Sequence, residues 1–383
     1  MAVAPSHGPS PSQRSGQLDL FRGLAALFMV VNHAGYQLLG SAAFDGGPAD
    51  WAVFIGSTAP ALFFFATGVG SGLSAGSGDS LGGAARKVLL LVLADQFLNW
   101  GHGIELGLDF FGFAAISTAA LYLLRKATHP VRLALALVVV ILGLRFGLAL
   151  VAADRVADGG WRSFVTGIGA VLHVSYPLCP WLAFPLLGFV VGRHWRSAAA
   201  PPEAWAVGAA VVGCLAAGCG LAVRGAPVFR WGSVSLAYFL CAAGIVGTAW
   251  LAAGLASRVR PAAVDWLGLR GPASLLIVPL HYGLLGLLEA VARPPWGLPA
   301  WWPTVILLAI VVFMLSRALV AGARRLPVPG AAAQALIAVA AGGMALASML
   351  AAPPLARLEI CSAAEVVVAA LLLWSTGSRR APS

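Results

Sequence analysis

Four polar residues stand in an otherwise apolar stretch near the start of the chain, LDLFRGLAALFMVVNHAG at 18–35: Asp19, Arg22, Asn32 and His33. An arginine guanidinium is suited to a phosphate, and a neutral imidazole can take a proton from a nucleophile. Arg22 and His33 are eleven residues apart, almost three helical turns, so both side chains should lie on one helix face. They would stand about 16 Å apart along the axis, so one elongated ligand could contact both.

Asp19 lies three residues before Arg22 and can pair with it on the same face. An ionisable side chain at the centre of a bilayer costs about 2.5–3.5 kcal/mol, so it persists where it meets a cavity or a partner. Near a helix end, however, an arginine can extend to the membrane surface. In the alternative interpretation, Arg22 is a boundary charge that sets topology and His33 is an interfacial residue. The spacing alone leaves both interpretations open.

The elements that must position these residues are membrane helices, because 60% of the chain is hydrophobic and only 10% is charged. A soluble domain has about 25% charged residues. The sequence therefore predicts an all-α fold, a polytopic transmembrane helical bundle of about 10–12 spans in a lipid bilayer. The candidate runs are 19–39, 51–73, 87–100, 108–124, 133–153, 164–192, 204–223, 232–256, 272–291, 301–322, 331–351 and 360–376.

The basic residues give the expected orientation. With the N-terminus in the cytoplasm, the inside loops hold 15 Lys and Arg residues and the outside loops hold 6. We expect a multi-pass protein of the inner (plasma) membrane with both termini cytoplasmic. Residues 1–17 should be disordered, 18–376 should form one domain and 377–383 a short basic tail. The net charge of +10 is scattered between apolar runs, which predicts no nucleic-acid partner.

Several stretches resemble known membrane enzymes. The spacing of Arg22 and His33, with ten residues between them, resembles the arginine–X10–histidine signature of the acyltransferase family 3 membrane proteins. The same stretch is similar to the opening of the heparan-α-glucosaminide N-acetyltransferase-like proteins, which belong to the same transmembrane acyltransferase superfamily. Three later stretches also resemble helices of that group: STAPALFFFATGVGSGLS at 57–74, SYPLCPWLAFPLLGFVVGR at 175–193 and ASLLIVPLHYGLLGLL at 273–288.

The resemblance implies an α-helical membrane enzyme that transfers an acyl group, commonly acetyl, from acyl-CoA to a sugar hydroxyl or amine. It also implies that the histidine of the motif, His33, is catalytic and that its arginine, Arg22, helps to hold the acyl donor. Asp19 would assist Arg22. The acceptor would be a glycan or lipid-linked molecule of the cell envelope.

A second polar group lies in ADQFLNWGHGIELGLDF at 94–110. Its spacing of four and three places Asp95, Asn99 and His102 on one helix face, where they could orient an acceptor or supply a second base. The glycines around His102 favour a loop from there onward, with Glu105 and Asp109 meeting water. Asp95 and Asn99, together with Asn32 of the first stretch, are the candidates that remain for lining a cavity.

Three further residues are candidates for a cavity wall. His173 and Tyr176 precede a break in the run 164–192, which Pro177, Pro180 and Pro185 should kink or interrupt. Their alternative is ordinary interfacial packing. His281 lies about halfway through an apolar run, where a neighbouring carbonyl could equally satisfy it.

We therefore hypothesise an acyl-CoA-dependent O- or N-acetyltransferase. The alternative is a transporter or flippase whose buried charges line a substrate or proton path, and a third interpretation is a membrane subunit without chemistry. No metal is expected, because Cys214 and Cys219 have no third ligand nearby in sequence. The acceptor, the acyl chain and the oligomeric state stay open at this point.

Overall fold

The computed structural model describes residues 11–39, 48–74, 80–104, 106–147, 165, 173–197, 204–225, 234–292, 296–327 and 329–377. The described chain is almost entirely helical, which confirms the predicted fold class. The helices are α1 (Pro11–Leu38), α2 (Pro48–Ser57), α3 (Ala59–Leu73), α4 (Leu81–Gly101), α5 (Phe110–Leu124), α6 (Pro130–Leu142), α7 (Leu178–Trp181), α8 (Ala183–Ser197), α9 (Ala204–Val223), α10 (Leu236–Val259), α11 (Pro261–Leu267), α12 (Ile277–Ala292), α13 (Leu298–Arg325), α14 (Ala331–Ala351) and α15 (Pro354–Gly377).

Shorter elements complete this description. A π-helical turn (Gly143–Gly147) continues α6, and a 3-10 turn (Gly271–Ser274) precedes α12. Two strands of two residues each are β1 (Gly107–Leu108) and β2 (His173–Val174).

Several helices are long and apolar enough to cross a membrane. Five described segments meet this criterion: Asp50–Leu73, Pro130–Gly147, Leu236–Val259, Leu298–Arg325 and Ala331–Ala351. Gly208–Val223 and Ile277–Ala292 are shorter apolar helices. Large apolar side chains on these helices are exposed on the protein surface, including Val139, Ile306, Leu336 and Leu350. Such faces are stable against lipid and costly in water, as expected for a membrane protein.

One sequence expectation needs adjustment, and another lies outside the described residues. Residues 1–17 were expected to be disordered, but α1 begins at Pro11, so 11–17 are helical; residues 1–10 lie outside the described part. The amide of Gln17 donates to the carbonyl of Trp250 at 2.9 Å, which gives this first part of α1 a tertiary contact. The expected tail at 377–383 lies outside the described residues beyond Gly377.

The proline-rich run is interrupted, as its composition predicts. Cys179 has non-helical backbone angles, with φ −102° and ψ 119°, within the short helix α7. Helix α8 begins two residues after α7 ends at Trp181, so the described part of 164–192 is not one continuous span. A proline removes a backbone donor and fixes φ, which explains why a regular helix does not pass through this segment.

The chain divides into two compact units. The first is formed by Met1–Ala25, Thr58–Gly78 and Ser117–Gly268, and the second by Ala26–Ser57, Asp79–Ile116 and Leu269–Ser383. Helix α1 contributes its first part to one unit and its second part to the other.

Close packing of α3 against α8 organises the first unit, and glycines make it possible. A Cβ atom at Gly68 would lie 2.0 Å from the carbonyl oxygen of Pro185, and one at Gly72 would lie 2.6 Å from that of Phe189. On the facing helix, a Cβ at Gly188 would lie 2.1 Å from the carbonyl oxygen of Phe65. Small residues spaced by four let helix backbones approach in this way.

The second unit is built around α15. A Cβ at Gly286 of α12 would lie 2.8 Å from Leu358 of α15, and one at Gly101 of α4 would lie 3.3 Å from Cys361. On the α14 side, the Ser348 hydroxyl lies 3.6 Å from the Cys361 sulfur. Helix α15 therefore has neighbours in α4, α12 and α14.

We predict that Gly68→Ala destabilises the protein by about 1–3 kcal/mol, because the new methyl group overpacks a backbone contact that cannot yield. The thermal unfolding midpoint in detergent should fall accordingly. Gly220→Ala in α9 is the matched control, because a Cβ there would meet nothing within 4 Å. Equal midpoints for the two variants would contradict the close α3–α8 contact.

Candidate active site

The second part of α1 is held in place by neighbouring helices, and this fixes the position of His33. The amide nitrogen of Asn32 donates to the carbonyl of Val53 in α2 at 3.0 Å. The indole N–H of Trp301 in α13 donates to the carbonyl of Ala34 at 3.1 Å. A Cβ at Gly56 would lie 2.8 Å from the backbone nitrogen of Asn32, so α2 packs directly on this turn. Asn32, a predicted cavity residue, thus makes a helix-to-helix hydrogen bond.

His33 forms a compact cluster with two residues of α12. Its Nδ1 lies 2.5 Å from Nε2 of His281, and its Nε2 lies 3.3 Å from the hydroxyl of Tyr282. The His33 ring stacks on both partners, with centroids 4.8 Å from His281 and 4.7 Å from Tyr282. We call His33, His281 and Tyr282 the histidine cluster.

The backbone of α12 orients His281. The Nδ1 of His281 lies 2.6 Å from the carbonyl oxygen of Ile277, one turn earlier in the same helix. The side chain of His281 is 0% exposed, whereas His33 and Tyr282 are partly buried. A carbonyl partner for His281 is what the alternative interpretation of this residue predicts, yet the same ring also contacts His33.

A turn after α4 brings a further ring to this cluster. His102 follows the last residue of α4, and its Nδ1 lies 2.9 Å from the carbonyl oxygen of Leu98. Its ring meets the Tyr282 ring edge to face, with centroids 4.8 Å apart. The expected loop is confirmed for His102 and Asp109, which lie outside the helices; Glu105 lies outside the described residues.

Asp95 joins α4 to the start of α5. Its Oδ2 accepts the backbone N–H of Asp109 at 3.1 Å, and the backbone N–H groups of Phe111 and Gly112 also bond to this carboxylate. The absence of a side chain at Gly112 makes space for this carboxylate, because a Cβ there would lie 2.4 Å from Oδ2. The first N–H groups of a helix need such acceptors, so this carboxylate caps α5 from another helix.

Asn99 lies one turn after Asp95, as its spacing predicts. Its amide nitrogen donates to the backbone carbonyl of Asp95 at 2.9 Å and contacts the carboxylate at 3.4 Å. Both side chains are buried. The Oδ1 atoms of Asp95 and Asn99 have no hydrogen-bond partner in the described part of the chain. Buried acceptors of this kind are rare and can accept bonds from a ligand.

Sequence reasoning missed Tyr282 and Glu365. Glu365 of α15 is 3% exposed, and its Oε2 has no hydrogen-bond partner among the described residues. The rule that selected Asp95, an ionisable group within an apolar run, could have found Glu365. Tyr282 carries no such signal beyond its place after His281.

Arg22 and Asp19 lie in the first unit. The predicted pair is confirmed: Nη1 of Arg22 donates to Oδ1 of Asp19 at 3.1 Å. The Arg22 side chain is 17% exposed, so it is partly buried and still reaches the protein surface. Gly70 of α3 faces it, because a Cβ there would lie 3.2 Å from Nη2.

The other candidates of the first unit differ in their surroundings. Tyr176 is buried and packs edge to face against Phe64 and Trp181, with ring centroids 5.3 Å and 5.1 Å away. These contacts place the Tyr176 ring in the protein core. His173 lies in strand β2, and its side chain is outside the description.

A cavity of about 300 Å³ lies in the second unit, lined by residues such as Leu276, Leu319 and Trp374. Its wall is apolar and includes no member of the histidine cluster, so its lining has no acid, base or nucleophile for a reaction. In the described residues, no group of three or more His, Cys, Asp or Glu side chains is placed to hold a metal ion.

The family model described as heparan-alpha-glucosaminide N-acetyltransferase, catalytic, matches residues 14–213, just over half of the chain. The chain belongs to this family. No curated protein and no solved structure matches it.

Membership of the heparan-α-glucosaminide N-acetyltransferase family confirms the resemblance carried by the first helix and indicates an N-acetyltransferase-like membrane function. The matched residues contain Arg22, His33 and Asp95. His281 and Tyr282 lie beyond the matched part, so the partners of His33 come from the structure and not from the family model.

We predict that Asp95→Ala lowers the thermal unfolding midpoint, because it removes the acceptor of the first N–H groups of α5. Lost caps cost about 0.5–2 kcal/mol. Asp95→Asn, which keeps an oxygen acceptor, should lose less. Glu289→Ala, at an exposed position of α12, is the matched control. An Asp95→Ala protein as stable as the control would show that the cap contributes nothing.

Proposed function

We propose that the protein is an integral membrane acyltransferase that moves an acyl group, acetyl in the simplest case, from acyl-CoA to a hydroxyl or amine. The acceptor is a glycan or lipid-linked molecule of the cell envelope. The observation that carries this proposal is the placement of His33. The histidine of the arginine–X10–histidine motif has both ring nitrogens within hydrogen-bond distance of buried or partly buried side chains.

His33 is the catalytic base in this proposal. An imidazole nitrogen takes the proton of the acceptor O–H or N–H while the acceptor atom attacks the thioester carbonyl. The C–S bond then breaks, and the proton passes from the imidazolium to the leaving thiolate, giving the acylated acceptor and free CoA thiol. Transient acylation of His33 is the second route that the same residue allows.

Arg22 holds the charged end of the donor. A guanidinium has five N–H donors, and Asp19 engages Nη1, so other donors are left for a phosphate. The hydrogen bond to Asp19 also fixes the orientation of the Arg22 guanidinium. Gly70 leaves space beside Nη2.

The acceptor side is assigned to the buried oxygens of the second unit. The orphan oxygens of Asp95, Asn99 and Glu365 can accept hydrogen bonds from the hydroxyl or amine groups of a glycan. Glu365 and Tyr282 of the histidine cluster belong to the same compact unit. We assign the protein to the inner (plasma) membrane with both termini in the cytoplasm, following its basic loops.

We predict that His33→Ala lowers acyl transfer by about 10²–10⁴-fold, the usual contribution of a general base. The purified protein is given acetyl-CoA and a panel of amino sugars and glycans, and both free CoA thiol and acetylated product are measured. His129→Ala, an exposed histidine before α6 without a side-chain cap bond, is the control. Full activity in a folded His33→Ala protein, or substrate flux in liposomes without CoA turnover, would refute the enzyme proposal.

We predict that Arg22→Gln raises the KM for acetyl-CoA about 10- to 100-fold, because a charge-assisted hydrogen bond contributes about 1.5–3 kcal/mol. The KM for the acceptor should not change. Acetyl-pantetheine lacks the nucleotide phosphates, so its KM should be insensitive to the substitution. Arg258→Gln, at an exposed position of α10, is the control. Equal effects on acetyl-CoA and acetyl-pantetheine would contradict the assignment of Arg22 to the phosphate end.

A further inference from the structure

We infer that His281 is a positioning residue that fixes the proton of neutral His33 on Nδ1, so that Nε2 of His33 is the basic atom. This inference rests on the proposed function, because it assigns which nitrogen of His33 receives the acceptor's proton. The carrying observation is a chain of hydrogen bonds that begins at a backbone carbonyl and ends at Nε2 of His33.

The first link determines the tautomer of His281. The carbonyl oxygen of Ile277 can only accept, and it lies 2.6 Å from Nδ1 of His281. Nδ1 of His281 must therefore carry a hydrogen. In a neutral imidazole one nitrogen donates and the other accepts, so Nε2 of His281 presents a lone pair.

The second link passes this constraint to His33. The Nε2 atom of His281, which carries this lone pair, lies 2.5 Å from Nδ1 of His33. Two lone pairs at this distance would repel each other, so the bond forms only when Nδ1 of His33 carries the hydrogen. Neutral His33 then keeps its lone pair on Nε2. A hydrogen bond to one ring nitrogen commonly sets the role of the other in this way.

The third link shows where this lone pair is directed. The hydroxyl of Tyr282 lies 3.3 Å from Nε2 of His33 and can donate to it. This distance is long for an O–H donor, whose usual range is about 2.5–3.0 Å, so the bond is weak. An acceptor hydroxyl or amine can therefore take the place of the Tyr282 hydroxyl at Nε2.

Burial separates the roles of the two histidines. His281 is 0% exposed and is engaged at both ring nitrogens, so it cannot itself meet a substrate. His33 is only partly buried. When Nε2 of His33 takes the acceptor's proton, Nδ1 still donates to His281, and the bond becomes charge-assisted. His281 thus orients the base and stabilises the imidazolium, as the third group of a catalytic triad does.

Two substitutions at one position test this inference. Leucine at 281 fills similar space but has no acceptor, so His281→Leu should lower kcat by about 10- to 100-fold, the range for losing a partner that orients a histidine. The KM values of both substrates should stay near those of the wild type. The side-chain oxygen of glutamine reaches the former position of Nε2, so His281→Gln should recover most of the lost rate. Equal losses in both variants would mean a packing role only and would overturn the inference.

Nitrogen NMR gives a readout that does not depend on activity. Protein with ¹⁵N-labelled histidine in detergent is compared with its His33→Gln variant, which assigns the His33 ring signals by difference. We expect the proton of neutral His33 on Nδ1 in the wild type and in His281→Gln, and its loss from Nδ1 in His281→Leu. A proton on Nε2 of His33 in the wild type would overturn the inference, and this spectrum decides the matter even if His281→Leu fails to fold.

Failure of the inference and failure of the proposed function give different results. If His33→Ala is inactive while His281→Leu keeps the wild-type kcat, the function stands and the role of His281 is refuted. If His33→Ala keeps full activity, the catalytic assignment falls, and with it the role of His281 in catalysis.

Discussion

Burial governs the polar groups of the candidate site, because a polar side chain that leaves water loses its hydrogen bonds to solvent unless it meets a partner within the protein. His33 lies within hydrogen-bond distance of His281 and Tyr282, and His281 in turn lies within hydrogen-bond distance of the Ile277 carbonyl. Arg22 pairs with Asp19, and Asp95 accepts the backbone N–H of Asp109, the residue before α5. Each partnership also fixes a geometry. The hydrogen bonds that offset the cost of burying these side chains therefore also fix their orientations, and a reaction can use those orientations.

Close helix packing makes these partnerships possible. Glycines of α12 face α15, the helix that carries Glu365, and a Cβ at Gly283 would lie 3.2 Å from the carboxylate of Glu359. Gly112 lets the backbone of α5 reach Asp95, and Gly70 leaves space beside Arg22. In the first unit, glycines of α3 and α8 each meet the backbone of the other helix. Hydrogen-bonding side chains reach one another because the backbones that carry them approach closely.

Sequence reasoning reached the parts of the site that local spacing encodes. Helix periodicity paired Asp19 with Arg22 and placed Asn99 beside Asp95, and hydropathy gave the helical membrane class. It could not bring His281 to His33, because these residues are 248 positions apart and only tertiary packing joins them. The capping role of Asp95 depends on where α5 begins, which no local pattern shows. The first turns of α1 were misjudged because their composition is polar, whereas Gln17 gains a tertiary partner.

The most direct test of the central claim is a structure of the protein with a non-hydrolysable thioether analogue of acetyl-CoA. The account predicts the acyl carbon of the analogue roughly 5 Å from Nε2 of His33, which leaves room for one acceptor atom between them. An analogue bound with its acyl end remote from the histidine cluster would contradict it.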